Sequence, residues 1–240
     1  SNYADILKDE LFYNAMGFTV KSAVLLIVLA NIAGFLFALA LNRKIKSRNV
    51  LRAIIFCPFI FNNVTVGFIW QFLLGRFMTD LYPLTGWGIF NTGWLSDERL
   101  VLYSAAAVKL WQCIGYFMVI YLAGLQLLPQ DPVEAAVIDG CGIIRLFLQI
   151  VCPLLKPGIV VIVIWQFLTS WNEFFLAMCT LTKESVKTLP LIAQQYNGAY
   201  FSQPGTLFAA LTLITIPMLV FYIIVQKQFV KGLTAGAVKG

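Results

Sequence analysis

Five separate runs of mostly apolar residues dominate this chain, at 22–41, 53–74, 100–128, 158–181 and 206–225. Each is about the 20 residues that a helix needs to cross roughly 30 Å of hydrocarbon. Backbone polar groups left unpaired in lipid are costly, so runs of this kind close their hydrogen bonds internally, as helices. A transmembrane β-barrel would instead alternate apolar and polar residues in segments of about 10. Composition agrees with the membrane: 60% of the 240 residues are hydrophobic and 12% are charged, against about a quarter charged in a soluble domain. The expected fold is all-α, a polytopic membrane protein with five transmembrane helices in this sequence.

Charge sets the orientation. The first run is followed by Arg43, Lys44, Lys46, Arg48 and Arg52, the densest basic cluster in the chain, and such a cluster marks a cytoplasmic loop. Alternation then places 129–157 and the tail 226–240 inside, and the head 1–21 with loops 75–99 and 182–205 outside. Ten of the 17 cations but only Asp131, Glu134 and Asp139 among the 11 acids fall inside. Lys109 lies in the outer half of the third run beside Trp111, Gln112 and Tyr116, where an ammonium can snorkel and Trp can anchor at the interface. Glu173 alone is left inside a span. An odd number of spans with the tail inside leaves the head outside, although nothing in it resembles a signal sequence. The economical expectation is a sixth, outward-going helix ahead of Ser1; a five-span chain with a translocated head is the other reading.

Absences narrow the chemistry. The chain has no His, which removes His-containing triads, His metal sites and imidazole proton relays. Cys57, Cys113, Cys141, Cys152 and Cys179 form no CxxC pair and read as small hydrophobes, with no metal expected. No phosphate-binding GxxxxGK[ST] loop occurs, and Gly86 and Gly88 lack the third glycine of a dinucleotide fingerprint. If ATP drives this protein, another chain hydrolyses it, and no catalytic residue is assigned here. The basic excess belongs to topology, and no nucleic-acid partner is expected.

Polar residues inside the runs are the candidate working parts, because polar groups facing lipid are unfavourable. In the fourth run Gln166, Thr169, Ser170 and Glu173 fall at i, i+3, i+4 and i+7, which predicts one helix face, flanked by Trp165 and Asn172. Two roles fit that face. It can line a solute path, with amides and a carboxylate bonding hydroxyls and Trp stacking on a sugar ring, or it can join helices by hydrogen bonds. In the second run Asn62, Asn63 and Thr65 follow Pro58, which predicts a kink and local opening. Ala30, Gly34 and Ala38 form a small-residue ridge for close helix contact, with Asn31 beside it.

The stretch 129–157 is too polar to span and is patterned as two short helices. Asp131 suits an N-cap, Pro132 the first helical position and Glu134 a capping box, with Gly140 ending that turn. Ile143, Phe147 and Ile150 then share one face and Arg145 and Gln149 another, before Pro153 and Pro157 close the segment. Periodicity alone is compatible with a helix lying in the lipid interface. The residues add more. Glu134-Ala135-Ala136, three residues, Gly140, nine residues, Ile150, one residue, then Cys152-Pro153 resembles the EAA loop of ABC importer permeases, with Cys152 where that pattern has Leu. Leu122-Ala123-Gly124-Leu125-Gln126, Trp171-Asn172-Glu173 and the C-terminal stretch from Gly232 to Gly240 are similar to its maltose-type, carbohydrate-uptake branch.

The resemblance implies a six-helix subunit of a binding-protein-dependent importer in a bacterial or archaeal cytoplasmic (inner) membrane, with a cytoplasmic C-terminus. Implied partners are a second permease subunit, two cytoplasmic ATPase subunits, an external solute-binding protein and a carbohydrate substrate. It implies that Glu134, Ala135, Ala136, Asp139, Gly140, Ile150 and Pro153 couple to the ATPase, and that this chain binds no cofactor, ATP and Mg residing on the partner ATPase. The candidate substrate path is Asn62, Asn63, Trp165, Gln166, Thr169, Ser170, Asn172 and Glu173. The basic, Gly/Ala-rich tail reads either as a flexible end near anionic headgroups or, by resemblance, as a segment reaching between the ATPase subunits. The alternative function is a channel or ion-coupled secondary carrier for a small polar solute, against which stand the single intramembrane acid and the lack of His.

Overall fold

The computed structural model describes residues 2–43, 45–129, 141–142, 145, 147–181, 183–199 and 204–237. Among the described residues every regular element is helical: α1 (Asn2–Ile6), α2 (Glu10–Asn42), α3 (Arg48–Ile60), α4 (Asn63–Gln71), α5 (Met78–Thr85), α6 (Val101–Gln126), α7 (Cys152–Trp171), α8 (Phe175–Thr180), α9 (Leu189–Ala199) and α10 (Pro204–Ala237). A π-helical turn, Phe72–Phe77, joins α4 to α5, and another, Phe147–Val151, leads into α7. The all-α expectation holds. Among the described residues four stretches, α2, α6, Gln149–Trp171 and Gly205–Gln226, are long and apolar enough to cross a bilayer, and the bent pair beginning at α3 makes a fifth if it counts as one span.

In lipid both faces of a helix are apolar, so residue size decides which face packs. On α2 the buried residues Thr19, Ala23, Leu26, Ala30, Gly34, Ala38 and Leu41 recur at helical spacing, while Val20, Val24, Val28, Ile32 and Leu36 are exposed on the other side. The small stripe admits α6 so closely that a Cβ on Gly34 would stand 2.8 Å from Phe117 Cβ. Tyr121 of α6 donates its hydroxyl to Asn31 Oδ1 at 2.5 Å, adding a directional bond to this contact. Gly115, on the same helix, faces α3, where an added Cβ would run into the Ile55 carbonyl and the Phe56 backbone. Phe117, Met118, Leu155 and Ile162 fill the core shared by α2, α6 and α7.

A second cluster, with Ile6, Phe12, Trp171, Leu189 and Ala210, ties α1, α2, α9 and α10 to the end of α7. Trp171 Nε1 also donates to the Ile214 carbonyl at 3.1 Å, and Thr19 Oγ1 accepts from the Leu189 amide at 3.0 Å. The C-terminal end of α7, where the site lies, is thereby held from several sides.

The helix limits differ from the apolar runs at five places. Helix α2 begins at Glu10, not at residue 22, because Asp9 caps it by accepting from the Leu11 amide at 2.9 Å. The second run is not one straight span: the chain turns by 94° between Arg48–Ile60 and Asn63–Thr85. Pro153 and Pro157 do not close a segment ahead of the fourth run. Pro153 stands in the first turn of α7, where no intrahelical N–H is required, and Pro157 is carried inside the helix. Helix α7 ends at Trp171 instead of continuing to residue 181. Finally, the backbone is helical through Ala237, well past the end of the fifth run at residue 225.

Of the expected coupling residues, Glu134, Ala135, Ala136, Asp139 and Gly140 lie outside the described residues. Ile150 sits in the π turn and Pro153 in the first turn of α7. Arg145 Nε donates to Gln149 Oε1 at 3.2 Å, so these two share a face, and Phe147 packs on Phe35 with ring centroids 4.8 Å apart.

Candidate functional site

Two interrupted helices meet against the middle of α6. One interruption is Phe61–Asn62, where both residues are extended between α3 and α4. The other is Asn172–Phe174, between α7 and α8. A break within a membrane leaves backbone groups without helical partners, and polar side chains must take them up. Each break is satisfied in this way. Asn62 Oδ1 caps α4 by accepting from the Val64 amide at 2.9 Å, and Gln112 Nε2 of α6 donates to the Phe61 carbonyl at 3.0 Å. Glu173 Oε1 accepts from the Leu176 amide at 2.8 Å, and Thr188 Oγ1 donates to the Glu173 carbonyl at 3.0 Å.

A single ion pair ties the two breaks together. Lys109 Nζ stands 3.0 Å from Glu173 Oε2, with side-chain exposures of 7% and 12%. The same ammonium donates to Asn63 Oδ1 at 3.3 Å and to Gln112 Oε1 at 3.4 Å. Asn63 Oδ1 also accepts from Gln112 Nε2 at 2.9 Å, and Asn63 Nδ2 donates to Glu173 Oε2 at 3.3 Å. A buried charge is tolerated when it is paired and its remaining hydrogen-bonding capacity is filled, and both conditions are met.

Beside this network opens a cleft of about 480 Å³. Its polar lining comprises Asn62, Asn63, Lys109, Gln112, Thr169, Asn172 and Glu173, and its apolar lining includes Phe59, Phe61, Trp165, Phe174 and Phe175. Phe59 stacks on Tyr116 at 4.7 Å with an interplanar angle of 6°, and Trp165 lies 5.2 Å from Tyr116, so the rings form one continuous aromatic wall. Amides and a hydroxyl in one cleft with flat rings are the groups that receive a polyhydroxylated ring, bonding its hydroxyls and covering its C–H face.

Six of the eight residues expected along a path therefore line this cleft: Asn62, Asn63, Trp165, Thr169, Asn172 and Glu173. The remaining two point elsewhere. Gln166 is fully buried, donating from Nε2 to Ser170 Oγ at 2.7 Å, while Cys113 Sγ donates to its Oε1 at 3.7 Å. Ser170 borders a separate small cavity between α2, α6 and α8. The four-residue face also divides, because Glu173 lies past the end of α7 and turns toward α6. Lys109 is corrected as well: it does not snorkel to an interface but is 6% exposed and bonded to Glu173. Sequence reasoning missed Lys109 and Gln112 as site residues. The available signal was charge arithmetic, since a cation and an acid inside separate spans are most cheaply accommodated against each other.

The sequence pattern of the family described as "Binding-protein-dependent transport system inner membrane component" matches residues 14–235. The chain belongs to that family. It is accordingly a multi-pass component of the inner membrane. The probable starch degradation products transport system permease protein AmyD of Thermoanaerobacterium thermosulfurigenes is 35% identical over 72% of this chain and 58% of its own length. The trehalose/maltose transport system permease protein MalF of Thermococcus litoralis is 30% identical over 72% of this chain and 59% of its own. The chain thus spans about three fifths of the length of those two relatives. The multiple sugar-binding transport system permease protein MsmF of Streptococcus mutans is 30% identical over 89% of this chain and 74% of its own. A bacterial ABC transporter involved in the import of the acidic polysaccharide alginate has the same fold, with a TM-score of 0.76 and 16% identity over 97% of this chain and 82% of that one.

Proposed function

We propose that this chain is a membrane-spanning permease subunit of an ATP-driven carbohydrate importer, forming part of the translocation path and coupling it to ATP hydrolysis in a separate subunit. The observation that carries this reading is the cleft where the two helix breaks meet, lined by amides, a hydroxyl and aromatic rings inside a membrane bundle. Family membership and the sugar systems to which AmyD, MalF and MsmF belong support it. The solute arrives from an external binding protein. ATP and Mg act on two cytoplasmic ATPase subunits, a second permease completes the path, and the C-terminus is cytoplasmic. Closure of the ATPases on the loop carrying Glu134, Ala135, Ala136, Asp139 and Gly140 would move α7 through Ile150 and Pro153 at its base, as a rigid element. Helix α7 carries Trp165 and Thr169, so such motion would reshape one wall of the cleft.

The test compares uptake with assembly. Trp165→Ala should lower sugar uptake roughly tenfold, the equivalent of ~1.4 kcal/mol of lost contact, while the protein still copurifies with its ATPase. Gln166→Leu should instead lower the melting temperature of the complex and leave sugar selectivity unchanged, because Gln166 bonds Ser170 and not the cleft. Glu134→Lys should abolish uptake with the protein retained in the membrane. Normal uptake in the Trp165 and Glu134 variants would overturn the reading.

A further inference from the structure

We infer that the cleft admits an uncharged oligosaccharide and turns away an acidic one, with Glu173 as the specificity-determining residue, an inference that rests on the importer reading above. The fold itself does not decide this, so lining side chains must. Among the described residues of the cleft, Lys109 and Glu173 are the only Lys, Arg, Asp or Glu. At 3.0 Å their charges cancel.

Cancellation is also complete at the level of hydrogen bonds. An ammonium has three N–H groups, and those of Lys109 are taken by Asn63 Oδ1, Gln112 Oε1 and Glu173 Oε2. None remains for a sugar carboxylate. A uronate entering the cleft would give up hydration, find no cation free to receive it, and bring its charge beside the Glu173 carboxylate, which is doubly unfavourable in a poorly solvated site. A neutral pyranose meets no such penalty, since Asn62, Asn172 and Thr169 offer dipoles and Phe59 and Trp165 offer flat apolar surface. Lys109 and Glu173 line both the cleft and the small cavity, so they belong to the wall between the two, where a solute in the cleft encounters them.

The experiment uses the intact transporter complex in lipid nanodiscs without its binding protein, titrated calorimetrically with neutral trisaccharides (maltotriose, cellotriose, xylotriose) and with trigalacturonate. Wild type should prefer the best neutral trisaccharide over trigalacturonate by about tenfold or more. Glu173→Gln frees the Lys109 charge and should strengthen trigalacturonate binding by about tenfold, in a manner that added salt reverses. Lys109→Gln/Glu173→Gln should lose that gain, a result that a merely structural role for the pair would not produce. Should Glu173→Gln prove unstable, Lys109→Gln, which leaves the acid unopposed, must weaken trigalacturonate by a larger factor than it weakens the best neutral trisaccharide. Equal wild-type affinity for trigalacturonate and the best neutral sugar, or a folded Glu173→Gln complex without the gain, overturns the inference. The importer reading fails separately, if the complete system with its binding protein takes up no carbohydrate, and a salt-sensitive gain in Glu173→Gln would still stand in that case.

Discussion

Lys109 is 6% exposed in the middle of an apolar helix, and its position is tolerable only because Glu173 and two amide oxygens surround it. Removing one partner of such a pair leaves the other buried and uncompensated. Lys109→Met should therefore destabilise the protein by about 3–5 kcal/mol, seen as a lowered melting temperature of the detergent-solubilised complex. Lys109→Met/Glu173→Gln should recover much of that loss, since both charges then leave together. Failure of the double variant to recover would mean that the pair contributes through packing and not through charge. Gln166 makes the complementary point at the same scale. It sits one helical turn from Ser170 and reads in sequence as part of a solute-facing stripe, yet its amide is fully consumed inside the bundle.

At the scale of elements, the bundle depends on how closely α2 and α3 approach α6. Gly34 and Gly115 mark the tightest places, where any Cβ would meet a neighbouring helix. Gly34→Leu should cost about 1–3 kcal/mol by forcing α2 away from Phe117, whereas Tyr121→Phe should cost only about 0.5–1.5 kcal/mol, the net value of its bond to Asn31. Thermal unfolding of both variants in one detergent gives the ranking; an equal or reversed order would show that hydrogen bonding, not close approach, holds α2 to α6. The broken helices follow a different logic from the packed ones. They persist because Gln112 of α6 and Thr188 of the α8–α9 connection reach the freed backbone groups alongside the breaks' own Asn62 and Glu173, so each break is a property of its neighbours as much as of its own residues.

For the whole molecule, the proposed orientation rests on where the cations lie. A single Cys introduced at Ser47 or Arg145 in a cysteine-free background should be shielded from impermeant thiol reagents in intact cells, and one at Asn91 should react. Labelling of residue 47 from outside would invert the orientation, including the cytoplasmic side of the loop that carries Glu134. Within the bundle the Lys109–Glu173 pair lines both the cleft that contains Phe59 and Trp165 and the small cavity between α2, α6 and α8.

Sequence by itself determined the fold class, the approximate number of membrane-crossing segments, the small-residue ridge of α2 and six of the residues that line the cleft. These are local quantities: hydropathy summed over about 20 residues, residue size at helical spacing, and the rarity of polar groups in lipid. The kink of the second run after Pro58 was also legible, whereas tertiary structure alone decided that the fourth run breaks at Asn172 and which polar residues meet. Glu173 reads as the end of a helical stripe with Gln166, but the Lys109 ammonium and the Asn63 amide are brought to it from distant parts of the chain. Whether a helix in a membrane continues or breaks depends on whether another element can satisfy the backbone groups it would free, and that is a fact about neighbours in space, which the order of residues along the chain does not contain.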